Sequence, residues 1–223
     1  MGTAKNHLAP RMTQVRRSDL CSGRLEGLFC TGVAVESSQQ TATGALCIAK
    51  ALRSREVQHV FGMPGGVLLP LVEAIRAEGI ALVLVRHEAS AGFMADASYQ
   101  LTGAPGVALS TLGPGMTNLV SGAAGALLER SRVLLLTGQV ATELLGLYTH
   151  QILDQVALLR PVVKYGVQLR PGEVGNQLVT ALAKLDEGRA GPVHLDLPAD
   201  ALAAPASNQV LSSMVPGSPG VPS

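Results

Sequence analysis

A single carboxylate, that of Glu88, lies where a predicted strand meets a predicted helix. The strand before it, residues 80–85 (IALVLV), carries no charge, and so apolar a run is typical of a parallel sheet covered on both faces. In such sheets the chemistry gathers at the carboxyl ends of the strands. A glutamate there suits proton relay to a ring nitrogen, although a glutamate in a first helical turn also favours the helix dipole without any chemistry. Taken alone, Glu88 is compatible with both interpretations.

Two glycine-rich turns follow strands and open at the same predicted sheet edge, at residues 62–66 (GMPGG) and 113–118 (GPGMTN). Neither turn matches GxGxxG, because the second has asparagine where a third glycine would allow tight helix packing. The phosphate-binding pattern GxxxxGK[ST] does not occur. A plain nucleotide-binding protein is therefore disfavoured, and the glycines alone also suit simple strand-to-helix turns.

Other catalytic patterns find little support. Ser110 lacks the flanking glycines of a nucleophile elbow, and none of the three cysteines forms CxxC or pairs with a histidine. The histidines show no metal-ligand spacing, so we expect no metal site within this chain. His59 and His194 lie in strand patterns and are predicted to be structural, whereas the roles of His87 and His150 stay open.

Composition limits the possible partners and compartments. The chain has 223 residues, 47% of them hydrophobic, with no Trp, three Phe and three Tyr, so its core is predicted to be aliphatic. A net charge of +1 without a basic stripe disfavours nucleic-acid binding. No apolar run is long enough for a membrane span, and the cysteine usage fits a reducing compartment. We therefore expect a cytoplasmic location. The arginines that precede Asp19 are the one feature that is typical of organellar targeting.

Helical and strand patterns alternate along most of the chain. This alternation predicts an α/β fold, a single three-layer domain with a mostly parallel, doubly wound sheet and helices on both faces. Irregular segments flank it: a leader over residues 1–40 and a Pro- and Gly-rich tail over residues 201–223, around a folded domain at 41–200. The predicted strands are 57–61, 80–85, 107–111, 133–137, 162–167 and 192–197. The predicted helices are 43–55, 67–78, 88–101, 114–128 and 171–185.

An ordered set of motifs spans nearly all of residues 41–200. The set consists of FGMPGG (61–66), RHEASAGFMAD (86–96), TGAPGV (102–107), GPGMTN (113–118), LLTGQ (135–139), QILDQ (151–155), RP (160–161) and GPVHLDLP (191–198). With these motifs the chain resembles the N-terminal, pyrimidine-binding domain of thiamine-diphosphate enzymes of the acetolactate synthase large-subunit type. Each motif is weak alone, and their order makes the resemblance specific.

The resemblance implies roles for individual residues. Glu88 matches the glutamate that hydrogen-bonds N1′ of the aminopyrimidine and promotes the tautomer that removes the thiazolium C2 proton. Pro64 and Gly65 match a turn against the pyrimidine. Gln151 matches a glutamine near the substrate, a small 2-oxo acid. The turn and helix start beside the cofactor are matched by Gly113, Gly115 and Asn118.

The resemblance also implies partners. In this family the diphosphate and Mg²⁺ are held by a separate domain with a Gly-Asp-Gly motif, which does not occur here. That domain, and FAD where the enzyme uses it, would come from a partner subunit or a longer chain, in a homo- or hetero-oligomer. We therefore expect part of a 2-oxo acid carboligase or decarboxylase that is inactive in isolation. The alternative is a non-catalytic, truncated interaction module that pairs with a diphosphate-binding partner.

Overall fold

The computed structural model describes residues 42–147 and 150–206, along which helices and strands alternate as the hydrophobic pattern predicts. The strands are β1 (His59–Met63), β2 (Ala81–Leu84), β3 (Gly106–Ser110), β4 (Val133–Gln139), β5 (Tyr165–Gln168) and β6 (Val193–Pro198). The helices are α1 (Gly44–Ser54), α2 (Leu69–Ala77), α3 (Glu88–Thr102), α4 (Pro114–Leu128), α5 (Gln155–Leu159), α6 (Val174–Asp186) and α7 (Ala199–Ala203). Short 3₁₀ segments cover Gly66–Leu68, Thr142–Leu144 and Arg160–Val162.

The strands pair in parallel, in the order β2-β1-β3-β4-β6-β5. Strand β2 lies on one side of β1, and the chain then crosses to place β3 on the other side. The direction of winding therefore reverses between β1 and β3. In open α/β sheets such a switch point forms a crevice at the carboxyl ends of the strands, where ligands bind.

Helices cover both faces of the sheet, which confirms the predicted α/β architecture. On one face α1, α2, α6 and α7 pack over β-strand residues such as Leu134 and Leu136. On the other face α3, α4 and α5 pack over Ala108 and Leu135. Alternate residues of β4 thus enter opposite layers, as the two-residue period of a strand requires. The core is aliphatic because Leu, Ile, Val and Ala supply nearly all of its buried side chains.

Local signals determine where the site-bearing helices begin and end. Helix α3 starts after His87, whose Nδ1 accepts the Ala89 N–H at 3.2 Å in the manner of an N-cap. It ends at Gly103, whose φ of 76° is a left-handed conformation that glycine adopts readily. None of the helices in the two described ranges is long and apolar enough to cross a membrane.

The prediction that residues 80–85 form a strand covered on both faces is wrong. β2 is an edge strand, its residues are exposed or half-buried, and Leu84 is 70% exposed. An edge strand hydrogen-bonds to one neighbour only, and hydrophobicity alone does not reveal how many neighbours a strand has. The edge strand predicted at 162–167 is present but shifted, as β5.

The folded part extends beyond Asp200, where the tail was predicted to begin. Ala201 and Leu202 are fully buried in α7, and the Ala206 N–H donates to the Ala42 carbonyl at 2.6 Å. Small apolar residues looked like linker composition, yet here they pack against α1. The leader at 1–40 and the rest of the tail lie outside the described residues.

Candidate functional site

Glu88 is the first residue of α3 and is only 6% exposed. Its Oε2 accepts a hydrogen bond from the Asn118 amide at 2.9 Å. Among the described residues, Asn118 is the one side chain that donates a hydrogen bond to the Glu88 carboxylate. A buried carboxylate needs such a donor, because leaving water without one is costly.

Close contact between α3 and α4 brings these two residues together. A Cβ placed on Gly92 would lie 2.7 Å from the Gly122 Cα, so the two helix backbones touch at this pair of glycines. Glu88 lies one turn before Gly92 on α3, and Asn118 lies one turn before Gly122 on α4. The glycine contact therefore sets the separation at which the amide reaches the carboxylate.

The two glycine-rich turns meet beside the carboxylate, around Thr111. A Cβ on Gly65 would lie 2.2 Å from the Thr111 hydroxyl oxygen. A Cβ on Gly115 would lie 2.9 Å from Thr111 Cγ2 and 3.1 Å from Glu88 Oε1. We call Gly65, Thr111, Gly115 and Glu88 the glycine cradle. It lies at the carboxyl ends of β1 and β3, the switch point of the sheet, and Pro64 precedes it, half-buried.

Gln151 approaches this region through its backbone. Gly113 has φ 62° and ψ −117°, and a Cβ there would lie 2.4 Å from the Gln151 carbonyl oxygen. Gln151 is exposed and itself has a φ of 61°. The structure thus places Gln151 against the Gly113 turn, and among the described residues no hydrogen bond joins its side chain to Glu88.

A buried polar network, which the sequence analysis missed, adjoins the Gly113 turn. The Gly113 N–H donates to Gln155 Oε1 at 3.0 Å. The Gln155 Nε2 donates to Asp196 Oδ1 at 2.6 Å and to the Gly138 carbonyl at 2.9 Å. Gln155 and Asp196 are each 1% exposed. The alternation of His194 and Asp196 with apolar residues in β6 was the available signal, because it predicts two polar side chains on one buried face.

Burial shifts the proton affinities of this network. Desolvation raises the pKa of Asp196 to about 6, against hydrogen bonds from surrounding Gln and Thr side chains. Desolvation lowers the pKa of His194 to about 3. The His194 Nε2 lies 2.8 Å from the Thr137 hydroxyl, and its buried Nδ1 has no hydrogen-bond partner within the described part of the chain.

A cleft of about 530 Å³ lies over the network, on the α5 side of the sheet. Its polar lining includes Gln139, Gln155, Gln168 and Asp196. Glu88 does not line this cleft. Within residues 42–147 and 150–206, no group of three or more His, Cys, Asp or Glu side chains could hold a metal ion.

Comparison with known proteins identifies the family. The sequence profile of the family described as "Thiamine pyrophosphate enzyme, N-terminal TPP binding domain" matches residues 42–158. The chain belongs to this family. The matched range holds the glycine cradle, Asn118, Gln151 and Gln155.

Individual acetolactate synthases are similar in sequence to this chain. The "Probable acetolactate synthase large subunit" of Methanocaldococcus jannaschii is 42% identical over 158 residues, 70% of this chain and 27% of the relative. The "Acetolactate synthase" of Arthrospira platensis is 43% identical over 163 residues, 71% of this chain and 28% of the relative. The "Acetolactate synthase isozyme 3 large subunit" of Escherichia coli K12 is 41% identical over 162 residues, 72% of this chain and 28% of the relative. The chain thus spans less than a third of these relatives' length and carries an N-terminal domain of the acetolactate synthase type.

Proposed function

We propose that this domain binds the aminopyrimidine end of thiamine diphosphate, with Glu88 hydrogen-bonding ring nitrogen N1′. The observation that carries the proposal is the burial of one carboxylate beside a glycine cradle at the switch point of the sheet. We further propose that the domain acts within an acetolactate synthase-like 2-oxo acid carboligase or decarboxylase. This assignment is supported by the similarity to acetolactate synthases.

The residues present fit a flat heteroaromatic ring. Because Gly65 and Gly115 have no side chains, both turns pack directly against Thr111 and the ends of β1 and β3 stay close to Glu88. A flat ring that reached Glu88 would therefore meet backbone of these turns and no bulky side chain at either glycine. Asn118 holds one oxygen of Glu88, while the other faces Gly115. The fixed amide donor orients the carboxylate before any ligand arrives, which is the preorganisation that proton transfer requires.

Bound thiamine diphosphate supplies the electron sink for decarboxylation of a 2-oxo acid. Glu88 holds the proton that it shares with N1′. Asn118 keeps the carboxylate in place through its hydrogen bond to Oε2. We assign Pro64, Gly65, Gly113 and Gly115 to cofactor contact, and Gln151 to the substrate side of the Gly113 turn.

The diphosphate, Mg²⁺ and any FAD would be bound by another domain, in a partner subunit or in a longer form of this chain. This proposal follows from the family, in which the present domain binds the pyrimidine end. We therefore propose that the active site forms on association, in a homo- or hetero-oligomer.

The test is a titration of thiamine diphosphate with Mg²⁺ into this chain alone and into its mixture with a diphosphate-binding domain of an acetolactate synthase. We expect weak binding to the chain alone and saturable binding to the mixture. Glu88→Gln should weaken binding to the mixture about tenfold, because a charge-assisted hydrogen bond is lost. A cofactor analogue with carbon in place of N1′ should bind the wild type and the variant equally.

The matched control is Glu129→Gln, which neutralises an exposed glutamate at the end of α4. This variant should bind the cofactor as the wild type does. Equal affinity of the wild type and Glu88→Gln for the natural cofactor would remove Glu88 from the site. Association with the partner domain without any cofactor binding would support the non-catalytic interaction module instead.

A further inference from the structure

Among the described residues, Gln155 forms the one side-chain hydrogen bond to the backbone of Gly113. Its Oε1 accepts the Gly113 N–H at 3.0 Å in a buried setting. The φ of 62° and ψ of −117° at Gly113 lie in a region that glycine adopts and other residues rarely do, and the hydrogen bond from its N–H fixes this conformation against Gln155. The turn leads directly into α4, which carries Gly115 and Asn118. The position of Gln155 therefore affects where Gly115 and Asn118 lie relative to Glu88.

The surroundings of Gln155 determine which end of its amide faces the turn. Three acceptors lie on its Nε2 side: Asp196 Oδ1 at 2.6 Å, the Gly138 carbonyl at 2.9 Å and the Thr137 hydroxyl at 3.3 Å. The Gly113 N–H is a donor and lies on the Oε1 side. A flipped amide would place its NH₂ against the Gly113 N–H and its oxygen against a carboxylate, so that at least three hydrogen bonds would be lost.

Asp196 is held in turn by a second glutamine. The Gln168 amide donates to Asp196 Oδ2 at 2.8 Å, so the two carboxylate oxygens receive amides from α5 and β5. Asp196 follows His194 on the same face of β6, deep under α5. This arrangement gives the carboxylate one orientation, with Oδ1 directed at Gln155.

We propose that Gln155 is a positioning residue for the cofactor turn and that Asp196 orients it, so that a hydrogen-bonded chain from Asp196 through Gln155 to the Gly113 N–H keeps the glycine cradle in its binding shape. This inference rests on the proposed function as regards the cofactor. The positioning of the Gly113 turn by Gln155 involves no cofactor, so it can be tested on this chain by itself.

The first measurement is amide hydrogen exchange at Gly113 in the 223-residue chain. Gln155→Leu should speed exchange at this amide about tenfold, since the buried Gly113 N–H would lose its acceptor. Gln155→Glu should do the same, because it places two carboxylates 2.6 Å apart. In the double variant Gln155→Glu with Asp196→Asn, the amide introduced at position 196 can donate to the carboxylate introduced at position 155, which removes the repulsion between the pair. Protection should recover in part, because the Gly138 carbonyl, 2.9 Å from Gln155 Nε2 in the wild type, is left without its donor.

The matched control is Gln177→Leu. Gln177 also bridges backbone groups, since it accepts the Arg170 N–H at 2.8 Å and donates to the Gln168 carbonyl at 3.1 Å. Its loss should expose the Arg170 amide and leave Gly113 protected. Unchanged Gly113 exchange in a folded Gln155→Leu chain would overturn the inference. The inference would also be overturned if the Gly113 amide were no better protected in the double variant than in Gln155→Glu. This second comparison keeps the test valid if Gln155→Leu does not fold.

The second measurement is thiamine diphosphate affinity in the mixture with a diphosphate-binding domain. We expect about tenfold weaker binding for Gln155→Glu, partial recovery in the double variant and no change for Gln177→Leu. If the wild type binds no cofactor, the proposed function fails while the exchange result still decides whether Gln155 positions the turn. If the wild type binds and Gln155→Glu binds equally well, the positioning role fails and the proposed function stands.

Discussion

His194 and Asp196 should give opposite contributions to the pH dependence of folding. Burial raises the pKa of Asp196 from 3.8 to about 6 and lowers the pKa of His194 from 6.5 to about 3. Both side chains lie on the same face of β6 and approach the Thr137 hydroxyl, at 3.4 Å and 2.8 Å respectively. Between about pH 4 and pH 6 the folded chain holds a proton on Asp196, whereas the unfolded chain holds one on His194.

The two effects have opposite signs. The Asp196 contribution is fully present below pH 3.8 and is lost as the pH rises through about 6, a change of about 3 kcal/mol at 1.36 kcal/mol per pKa unit. The neutral His194 disfavours folding at acid pH, so its contribution to stability rises by about 5 kcal/mol between about pH 3 and pH 6.5. From pH 4 to pH 6 the two slopes nearly cancel in the wild type.

Removing either group should reveal the slope of the other. We expect the free energy of unfolding of Asp196→Asn, relative to wild type, to rise by about 2 kcal/mol between pH 4 and pH 7. Under the same conditions that of His194→Gln should fall by about 3 kcal/mol relative to wild type. Urea unfolding at half-unit pH steps measures both differences. Any pH-independent loss of stability caused by the substitution itself cancels, because only the change of the difference with pH is compared. Differences that stay constant with pH in both variants would refute the assigned proton affinities.

Three further substitutions test the packing around the site. Gly115→Ala should weaken thiamine diphosphate binding at least about tenfold in the reconstituted mixture, because its Cβ would lie 3.1 Å from Glu88 Oε1; unchanged affinity would contradict the cradle geometry. Gly92→Ala should lower the free energy of unfolding by about 2 kcal/mol in urea, since it forces α3 from α4; a neutral result would show that the helices can separate freely. Thr137→Val should cost about 2 kcal/mol in the same assay by removing the hydroxyl beside His194 Nε2, and no loss would mean that this contact stabilises nothing.

Much of the fold followed from periodicity and turn residues. The order of the six predicted strands and of the helices 43–55 to 171–185 was correct, because each element is long enough to show its own pattern and is bounded by Gly, Pro or a capping residue. The position of β2 at the sheet edge did not follow, since hydrophobicity reports what a residue prefers and not which strand lies beside it. The five-residue helices α5 and α7 are too short to show a helical period.

The site was predicted in part. The structure brings Glu88, Gly115 and Asn118 together, because the carboxyl ends of parallel strands share one edge. Their roles toward the cofactor stay predictions. The contact of Gln155 with Asp196 joins residues 41 positions apart on different elements, so nothing local announces it. Buried polar pairs of this kind become visible only when the tertiary arrangement is known.

Glu88 is held from two sides, by strand β2 before it and by the contact of α3 with α4 after it, and the edge position of β2 makes these two supports unequal. Backbone pairing along β2 contributes little to holding Glu88, because β2 is paired on one side only and its last backbone bond joins the Val85 N–H to the Gly62 carbonyl at 3.2 Å. The helix seam at Gly92 holds the residue from the other direction. An added strand along the free margin of β2 would therefore widen the sheet while leaving the carboxylate where it is. That margin is the natural place to graft a tag or a sensor onto this domain, and the helix seam is the place to avoid.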